Sequence, residues 1–286
     1  MAGLKRIITA AAVLALGSGM ALADVVPTPY GINMLDAASP VAVDGHAFHD
    51  LLNLIIIAIT IFVAGLMGYT MWRFSAKRNP VPSRTTHNTL IEVLWTVVPV
   101  IILVVIAIPS FKLLYFQDRT EQAELTIKAI GRQWYWDYEY PDHNFTFSSR
   151  LDKERHYQPG QTQAGEQRLL DVDNQVVLPS ETNIRVLTTA GDVIHAWAVP
   201  SLFVKRDAVP GRTNETWTRI AKEHEGKVLY GQCSEICGVD HAYMPIAVRV
   251  VSKEEFQRWV AEAKTKFAKI DETAEPATQV AQTAAQ

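Results

Sequence analysis

The sequence predicts two membrane-spanning helices followed by an all-β domain that ends in a short helix. Two long apolar runs occupy much of the first 116 residues, and short segments rich in β-branched and aromatic residues follow them. The chain is 48% hydrophobic, which suits a membrane protein. Its formal net charge of −3 indicates neither a nucleic-acid partner nor an acidic ligand.

Residues 1–23 predict a secretory signal peptide. Lys5 and Arg6 give a basic start, Ile7–Leu16 is an almost purely apolar run, and the sequence before the expected cut after Ala23 follows the small-x-small rule. A third membrane helix is the alternative, but so short a run does not easily span a bilayer.

Two later runs are long enough to cross a membrane. Leu51–Trp72 has no charged residue, and as a helix it would be about 33 Å long. Val93–Phe116 is similar, with Lys112 near the end, where its ammonium group can reach the membrane surface. Pro99 and Pro109 predict kinks in this second helix. A buried helix pair in a soluble protein is the alternative.

Charge in the loop between the runs predicts the topology. The loop, residues 73–88, has four basic residues and no acid, which places it in the cytoplasm. The helices, within residues 48–116, then expose residues 24–47 and a domain at 117–262 on the other side of the membrane. The signal peptide predicts the same topology. The remainder, 263–286, is expected to be a helix end and a disordered tail.

The exported domain predicts an antiparallel sandwich or barrel. Seven candidate strands are separated by Gly, Pro, Asp and Asn. They span residues 124–130, 134–140, 183–190, 193–199, 213–220, 227–232 and 244–251. A final helix is expected from Ser252, which forms a capping box with Glu255.

Glu92 lies at the cytoplasmic start of the second membrane helix. An acid at this position is stabilised by the helix dipole. An acid at the membrane edge can also admit protons. The sequence pattern alone favours the first interpretation.

The segment "YGQCSEICGVDHAYMP" contains both cysteines of the chain, Cys233 and Cys237, followed by His241 and Met244. Two cysteines in an oxidising compartment usually form a disulfide. Thiolate, imidazole and thioether groups together instead suit copper, whereas zinc gains little from methionine. Both interpretations stay open at this point. A c-type haem is excluded because Cys-x-x-Cys-His is absent.

A second histidine, His195, is the one ionisable residue in the candidate strand "VIHAWAV". A lone histidine in an apolar strand is more often a core residue. A metal site in a sandwich also needs a ligand from a distant strand. Together with the donors of the cysteine segment, His195 is therefore predicted to be a ligand.

Four features together resemble subunit II of haem-copper cytochrome c oxidases. They are "GQCSEICGVDHAYMP", "HAWAVPSL" followed by "VPGR", "GRQWYWDYEY" and the two-helix N-terminal part. The resemblance covers about residues 45–262. Because the chain also has a signal peptide and a longer segment at 142–166, it resembles the bacterial members of the family. It implies a cupredoxin-like Greek-key sandwich on the periplasmic side of the bacterial inner membrane, in an oxidoreductase complex.

The resemblance also implies a dinuclear copper centre, CuA. Its implied ligands are Cys233 and Cys237 as bridging thiolates, His195 and His241 with one copper each, Met244 as a weak ligand and Glu235 through its backbone carbonyl. The Glu235 carboxylate is implied to hold a Mg or Mn ion at the contact with subunit I. A loop acid facing water is the alternative for that side chain.

The implied function is electron transfer, with oxygen reduced in another subunit. Electrons would come from cytochrome c through Trp134 to the copper centre and continue to haem in subunit I, with proton translocation coupled to the reduction of oxygen to water. Core packing is the alternative for Trp134. The implied docking acids are Glu139, Asp173 and Asp192, and Glu92 matches an acid at the entrance of a proton-uptake path. Membrane lipid and subunit III are the further expected partners.

Three other protein classes share some of these features. Subunit II of quinol oxidases lacks the copper ligands, and nitrous oxide reductase is not expected to have the two-helix anchor. A membrane-anchored binding module with a Cys233–Cys237 disulfide is the alternative from another class. Counting free thiols and measuring copper uptake distinguishes it from an oxidase subunit.

Overall fold

The computed structural model describes residues 26, 27, 31, 33–119, 122–152 and 167–267. The expected signal peptide, the tail beyond residue 267 and most of the longer segment 142–166 lie outside the described residues.

Two long helices form the N-terminal part of the described chain. Helix α1 spans Pro40–Arg73 and helix α2 spans Thr89–Asp118, and both are long and apolar enough to cross a membrane. Ser39 caps α1 and Asn88 caps α2 through their side-chain oxygens. Because caps rather than hydropathy set the helix ends, α1 begins well before the predicted membrane span of 48–116.

Within the described residues, ten strands form two five-stranded sheets. They are β1 (Leu125–Arg132), β2 (Tyr135–Tyr140), β3 (Phe145–Ser149), β4 (Val176–Pro179), β5 (Ile184–Ala190), β6 (His195–Val199), β7 (Val204–Ala208), β8 (Asn214–Thr218), β9 (Val228–Cys233) and β10 (Pro245–Val251). The first sheet has the order β3-β2-β1-β5-β8, and the second has the order β4-β10-β9-β6-β7.

The strand pairing is mixed, so the expectation of an antiparallel sandwich is wrong in this detail. Strand β1 pairs parallel to β5, and β4 pairs parallel to β10. Parallel neighbours need a crossover connection, and both pairs are separated by long stretches of chain. Strands β3, β4 and β7 were not predicted, and all three lie at sheet edges.

The core lies between the two sheets. Strands β1 and β5 alternate buried and half-buried residues, as expected for strands with one face on the core. Ile127 and Val186 from the first sheet and Trp197 and Val248 from the second are fully buried in one hydrophobic cluster. Burial of these side chains fixes the relative position of the strands that lead to the cysteine segment.

A third helix, α3 (Lys253–Lys266), covers one end of the sandwich. The predicted cap is confirmed, since the Ser252 hydroxyl accepts a hydrogen bond from the Glu255 N–H. Rings of the helix and of β2 and β3 pack together there, and we call this group the aromatic end. It comprises Tyr140, Phe145, Phe147, Phe256 and Trp259.

The sandwich is attached to the start of α1 through the segment before it. The Ala38 N–H donates to the Ser201 carbonyl at 2.7 Å, and the Ala38 carbonyl accepts from the Ala221 N–H at 3.0 Å. The Ser39 hydroxyl donates to the Leu202 carbonyl at 2.8 Å. These hydrogen bonds are buried or adjoin buried residues, so they form a fixed contact.

A second attachment joins the sandwich to the end of α2. Arg206 of β7 forms an ion pair with Asp118 at 2.7 Å. The Trp217 indole of β8 donates to the Phe116 carbonyl at 3.0 Å, and the two rings pack edge to face with centroids 5.3 Å apart. The domain is therefore held at the ends of both helices.

Candidate metal centre

Donor side chains from two strands and one loop meet at one end of the sandwich. His195 opens β6 and Cys233 closes β9, and these strands are antiparallel neighbours in which Trp197 pairs with Cys233. The loop after β9 returns the chain through Cys237 to Met244, which directly precedes β10. Hydrogen-bonded pairing of β6, β9 and β10 therefore brings residues distant in sequence to one place.

The two cysteines are free thiols with their sulfur atoms 3.9 Å apart. The Nδ1 atom of His195 is 3.8 Å from the Cys233 sulfur, and the Nδ1 atom of His241 is 3.5 Å from the Cys237 sulfur. The Met244 thioether is 3.5 Å from the Cys237 sulfur. Two thiols, two imidazole nitrogens and a thioether thus converge, which is a donor set that fits copper.

The cluster is buried on the side of the core. His195 is 0% exposed, Met244 1%, Cys237 4% and Cys233 6%, whereas His241 is half-buried. The Glu235 carbonyl oxygen is 3.3 Å from the Cys233 sulfur, while the Glu235 residue as a whole is exposed. The backbone of Glu235 therefore faces the cluster, and its side chain lies at the surface.

The two thiols differ in acidity. Burial raises the pKa of Cys233, but contacts with His195 and with the backbone of Glu235 and Ala196 outweigh it and lower the pKa to about 6. Burial and the negative charge of the Cys233 thiolate together raise the pKa of Cys237 to about 12. A cation between the sulfur atoms would offset this repulsion and favour both thiolates.

His195 and Asp192 form a close pair, with the histidine Nε2 atom 2.8 Å from a carboxylate oxygen. Burial lowers the pKa of His195, but contacts with Cys233 and Asp192 outweigh it and raise the pKa. Burial raises the pKa of Asp192, whereas hydrogen bonds from His195 and two backbone N–H groups lower it overall. Carboxylate-bound histidine is a common arrangement at metal sites.

Sequence comparisons identify two family matches that together cover most of the chain. Residues 27–113 match "Cytochrome C oxidase subunit II, transmembrane domain", and residues 125–251 match "Cytochrome C oxidase subunit II, periplasmic domain". A probable cytochrome c oxidase subunit 2 of Rickettsia bellii is 52% identical over 243 residues, which are 85% of this chain and 87% of that protein.

The chain belongs to the cytochrome c oxidase subunit II family.

A plant relative agrees with this assignment, and a solved bacterial structure is also similar to part of the chain. Cytochrome c oxidase subunit 2 of Oenothera berteroana is 46% identical over 238 residues, 82% of this chain and 90% of that protein. The crystal structure of the periplasmic domain of subunit II of cytochrome oxidase of Bradyrhizobium japonicum is 52% identical, with a TM-score of 0.46, and it covers 52% of this chain and 100% of that chain.

Family membership confirms several expectations from the sequence. As subunit II, the chain is part of an oxidoreductase complex and a membrane protein with a periplasmic domain. The expected fold class is also confirmed by the elements themselves, which are two long apolar helices, a sandwich of two β-sheets and a C-terminal helix. The His/Cys cluster of subunit II indicates copper binding.

Trp134 of this subunit II lies beside the cysteine loop and is half-buried. Its indole N–H donates to the Cys237 carbonyl at 3.2 Å, and the Gln133 side-chain amide donates to the same oxygen at 3.0 Å. A side chain at Gly238 would place its Cβ atom 2.9 Å from the indole, so this glycine leaves room for the ring. The neighbouring Trp136 and Tyr138 are fully buried and fill the core.

The three expected docking acids have different surroundings. Glu139 forms an ion pair with Lys128 at 3.1 Å. Asp173 is exposed and lines a cavity of about 690 Å³ together with Trp134. Asp192 faces the cluster through His195. Only Asp173 thus shares a cavity with Trp134, and two acids that the sequence did not single out, Asp152 and Asp240, also line it.

Glu92 is engaged at the start of α2. Its carboxylate accepts a hydrogen bond from the Asn88 N–H at 3.3 Å, and the Asn88 side chain accepts from the Ile91 N–H at 3.2 Å. This reciprocal capping agrees with the helix-stabilising interpretation of Glu92. It leaves one carboxylate oxygen of Glu92 without a role in the cap.

Proposed function

We propose that the chain is the electron-accepting subunit of a respiratory terminal oxidase. In this function it takes electrons from cytochrome c at a dinuclear copper centre, CuA, and passes them to haem in subunit I. Oxygen is reduced to water there, coupled to proton translocation. The observation that carries the proposal is the convergence of two thiols, two imidazole Nδ1 atoms and a thioether within 3.5–3.9 Å contacts.

The proposed ligands follow from the contacts of the cluster. Cys233 and Cys237 would both hold copper, because their sulfur atoms lie side by side, and His195 and His241, which each contact a different sulfur, would add one imidazole nitrogen each. Met244, beside the Cys237 sulfur, and the Glu235 carbonyl, beside the Cys233 sulfur, would complete the set. A copper pair held by these residues would supply one-electron transfer with the charge shared over both metals. Burial by the core excludes water from the cluster and limits rearrangement around it.

The proposed site of electron acceptance is Trp134. A continuous contact leads from its indole N–H through the Cys237 carbonyl to the backbone of a ligand. Glu139, Asp173 and Asp192 are proposed to attract cytochrome c, which is basic, so association should weaken as salt increases.

The remaining assignments are proposals that rest on family membership. Residues 1–23 form a signal peptide, and residues 117–262 form the copper domain on the periplasmic side of a bacterial inner membrane. The exposed Glu235 side chain contributes to a Mg or Mn site shared with subunit I. The carboxylate of Glu92 serves the uptake of protons into subunit I. Subunit III is a further partner.

The test is metal analysis of the purified full-length chain in detergent after copper loading. We expect two coppers per chain and an electron paramagnetic resonance spectrum in which one unpaired electron couples to both nuclei. Cys233→Ser should abolish this spectrum. Ser234→Ala, in the same loop but without a ligand atom, is the matched control and should retain it.

A single-copper spectrum, or no copper together with two thiols lost to a disulfide, would overturn the proposal. The membrane-anchored binding module with a Cys233–Cys237 disulfide would then be the better assignment. Free-thiol counting on the metal-free protein separates this outcome from simple failure of copper loading, because intact sites retain both thiols.

A further inference from the structure

Arg150 places a positive charge at the surface beside Trp134. It directly follows β3 and is exposed. Its side chain lines the cavity of about 690 Å³ that Trp134 and Asp173 also line. A surface that attracts a basic cytochrome c should be acidic. A guanidinium at this place therefore opposes the attraction that the neighbouring acids provide.

The guanidinium is held over an aromatic ring. Its central carbon atom lies 4.2 Å from the centroid of the Tyr135 ring. A cation over the face of an aromatic ring is attracted by the negative charge of that face. Tyr135 directly follows Trp134 and is half-buried, so the rest of the protein supports this ring. The positive charge of Arg150 is thereby kept next to Trp134.

The backbone of Arg150 is fixed as well. Its N–H group donates to the Oδ1 atom of Asp173 at 2.7 Å, and its carbonyl accepts from the Asp173 N–H at 3.0 Å. The next residue, Leu151, forms an antiparallel β-bridge with Val172. A free arginine side chain can turn away from a cationic partner, whereas moving this one breaks its contact with the ring. The charge therefore stays in place when a partner approaches.

The other charged residues of the cavity show what this charge acts against. Asp152, Asp173 and Asp240 line the same cavity as Arg150. Among the described residues, the Arg150 guanidinium forms no ion pair with these acids. Its charge is thus not cancelled by a direct contact, and the cavity presents both signs of charge to a partner.

We propose that Arg150 is a specificity-determining residue of the surface that receives cytochrome c. Its fixed positive charge disfavours donors that are basic at the point facing Tyr135 and favours donors with a neutral or acidic group there. The inference rests on the proposed function and refines it, because it adds a repulsive residue to the attracting acids. Specific sites commonly combine attraction of one partner with repulsion of others.

The experiment follows a charge series at position 150 in the purified oxidase. Arg150→Lys keeps the positive charge, Arg150→Gln removes it and Arg150→Glu reverses it, while all three remove the guanidinium from the ring. The donor is a strongly basic cytochrome c of the mitochondrial type. We measure its Kd by isothermal titration and its KM by steady-state oxidation, both over a salt series.

At low salt, we expect Kd and KM to fall about two- to fivefold in Arg150→Gln and further in Arg150→Glu. Arg150→Lys should remain near the wild-type values. High salt should remove the differences, because exposed charges are then screened. The same cytochrome c with its lysines acetylated should bind wild type and Arg150→Gln about equally, since it no longer presents the charges that Arg150 repels.

Arg219→Gln is the matched control, because it removes the same charge far from the cavity. Arg219 follows β8, which pairs antiparallel with β5, and β5 pairs parallel with β1. The end of β8 therefore lies at the end of the sheet opposite Trp134. This variant should leave Kd and KM unchanged.

The inference is overturned if Arg150→Gln and Arg150→Glu leave Kd unchanged or raise it at low salt. It is also overturned if Arg150→Lys lowers Kd as much as Arg150→Gln does, because the ring contact rather than the charge would then be responsible. Measurement of Kd does not require turnover. A wild-type oxidase that binds cytochrome c without oxidising it would therefore count against the proposed function alone.

Discussion

The two ends of the sandwich are closed in contrasting ways. Strand β2 runs from the neighbourhood of Trp134 to Tyr140, and β10 runs from Met244 to α3, so the metal cluster and the aromatic end lie at opposite ends of the same strands. Stacked rings close the aromatic end, with Tyr140 and Phe145 centroids 4.9 Å apart. Two buried thiols, the buried imidazole of His195 and the half-buried imidazole of His241 close the metal end.

This difference separates stability that the chain supplies alone from stability that depends on a ligand. Ring packing lowers the free energy of the folded chain without any added component. At the metal end, burial and the negative charge of the Cys233 thiolate instead oppose the ionisation of Cys237 and raise its pKa to about 12. The metal end is therefore expected to depend on copper, and the aromatic end is not.

The largest expected effect is on the aromatic end. Phe145→Ala should destabilise the fold by about 3–5 kcal/mol, because a fully buried ring is lost and a cavity remains. The loss should be equal with and without copper. Thermal unfolding of both forms in detergent is the measurement, and a loss that depends on copper would remove the contrast between the two ends.

Copper removal should destabilise the metal end by a similar but conditional amount. A ligand that binds only the folded chain stabilises it by about 4 kcal/mol at a free concentration 1,000 times its Kd. The unfolding temperature should therefore rise with free copper. Cys237→Ser should eliminate this dependence, whereas Phe145→Ala should retain it; a copper-dependent unfolding temperature in Cys237→Ser would contradict the assignment of Cys237 as a ligand.

A smaller effect is the pH dependence of copper uptake. With pKa values of about 6 for Cys233 and about 12 for Cys237, the first thiol is ionised between pH 7 and 9 and the second retains its proton. Binding to both thiolates must then release at least one proton, so the apparent affinity should rise at least about tenfold per pH unit. Competition titrations with a chelator of known affinity measure this slope. A flat profile would show that Cys237 is already ionised or does not bind.

The smallest effect is expected for Glu139→Gln, which should alter neither the metal cluster nor the packing of the aromatic end. Loss of the surface pair with Lys128 should change stability by less than about 1 kcal/mol. If Glu139 attracts cytochrome c, the KM should rise at low ionic strength and approach the wild-type value at high salt. Steady-state oxidation of cytochrome c over a salt series is the check, with Lys128→Gln as the opposite-charge control.

Sequence patterns revealed the parts of the molecule whose chemistry is local. Long apolar runs identified α1 and α2, and the spacing of soft donor residues identified the cluster. The missed strands β3, β4 and β7 are short edge strands. Strand β7 has Lys205 and Arg206 within it. Charged residues are common in edge strands because they prevent pairing with a strand of another molecule. Strands β4 and β7 lack hydrophobic alternation, whereas β3 alternates but is only five residues long.

Contacts between residues that are distant in sequence could not be predicted from these patterns. The pairing of β1 with β5 depends on which segments meet across the fold, and no pattern within either strand specifies it. The inward contacts of Asp192 were missed for a related reason. Asp192 is exposed at the surface, and no local pattern shows that it also contacts the buried His195 and the Gln133 N–H, which lies 59 positions away.

The double attachment of the sandwich to α1 and α2 has a mechanical consequence. A domain on one flexible tether would swing and sample many heights above the bilayer. Here one contact at Ala38 and another at Asp118 and Phe116 engage different strands and loops, which leaves no single axis for rotation. The metal end is thereby expected to keep a constant distance from the ends of both helices. If the cluster transfers electrons as proposed, this fixed distance would give every electron the same path length, and tunnelling between redox groups weakens steeply with separation.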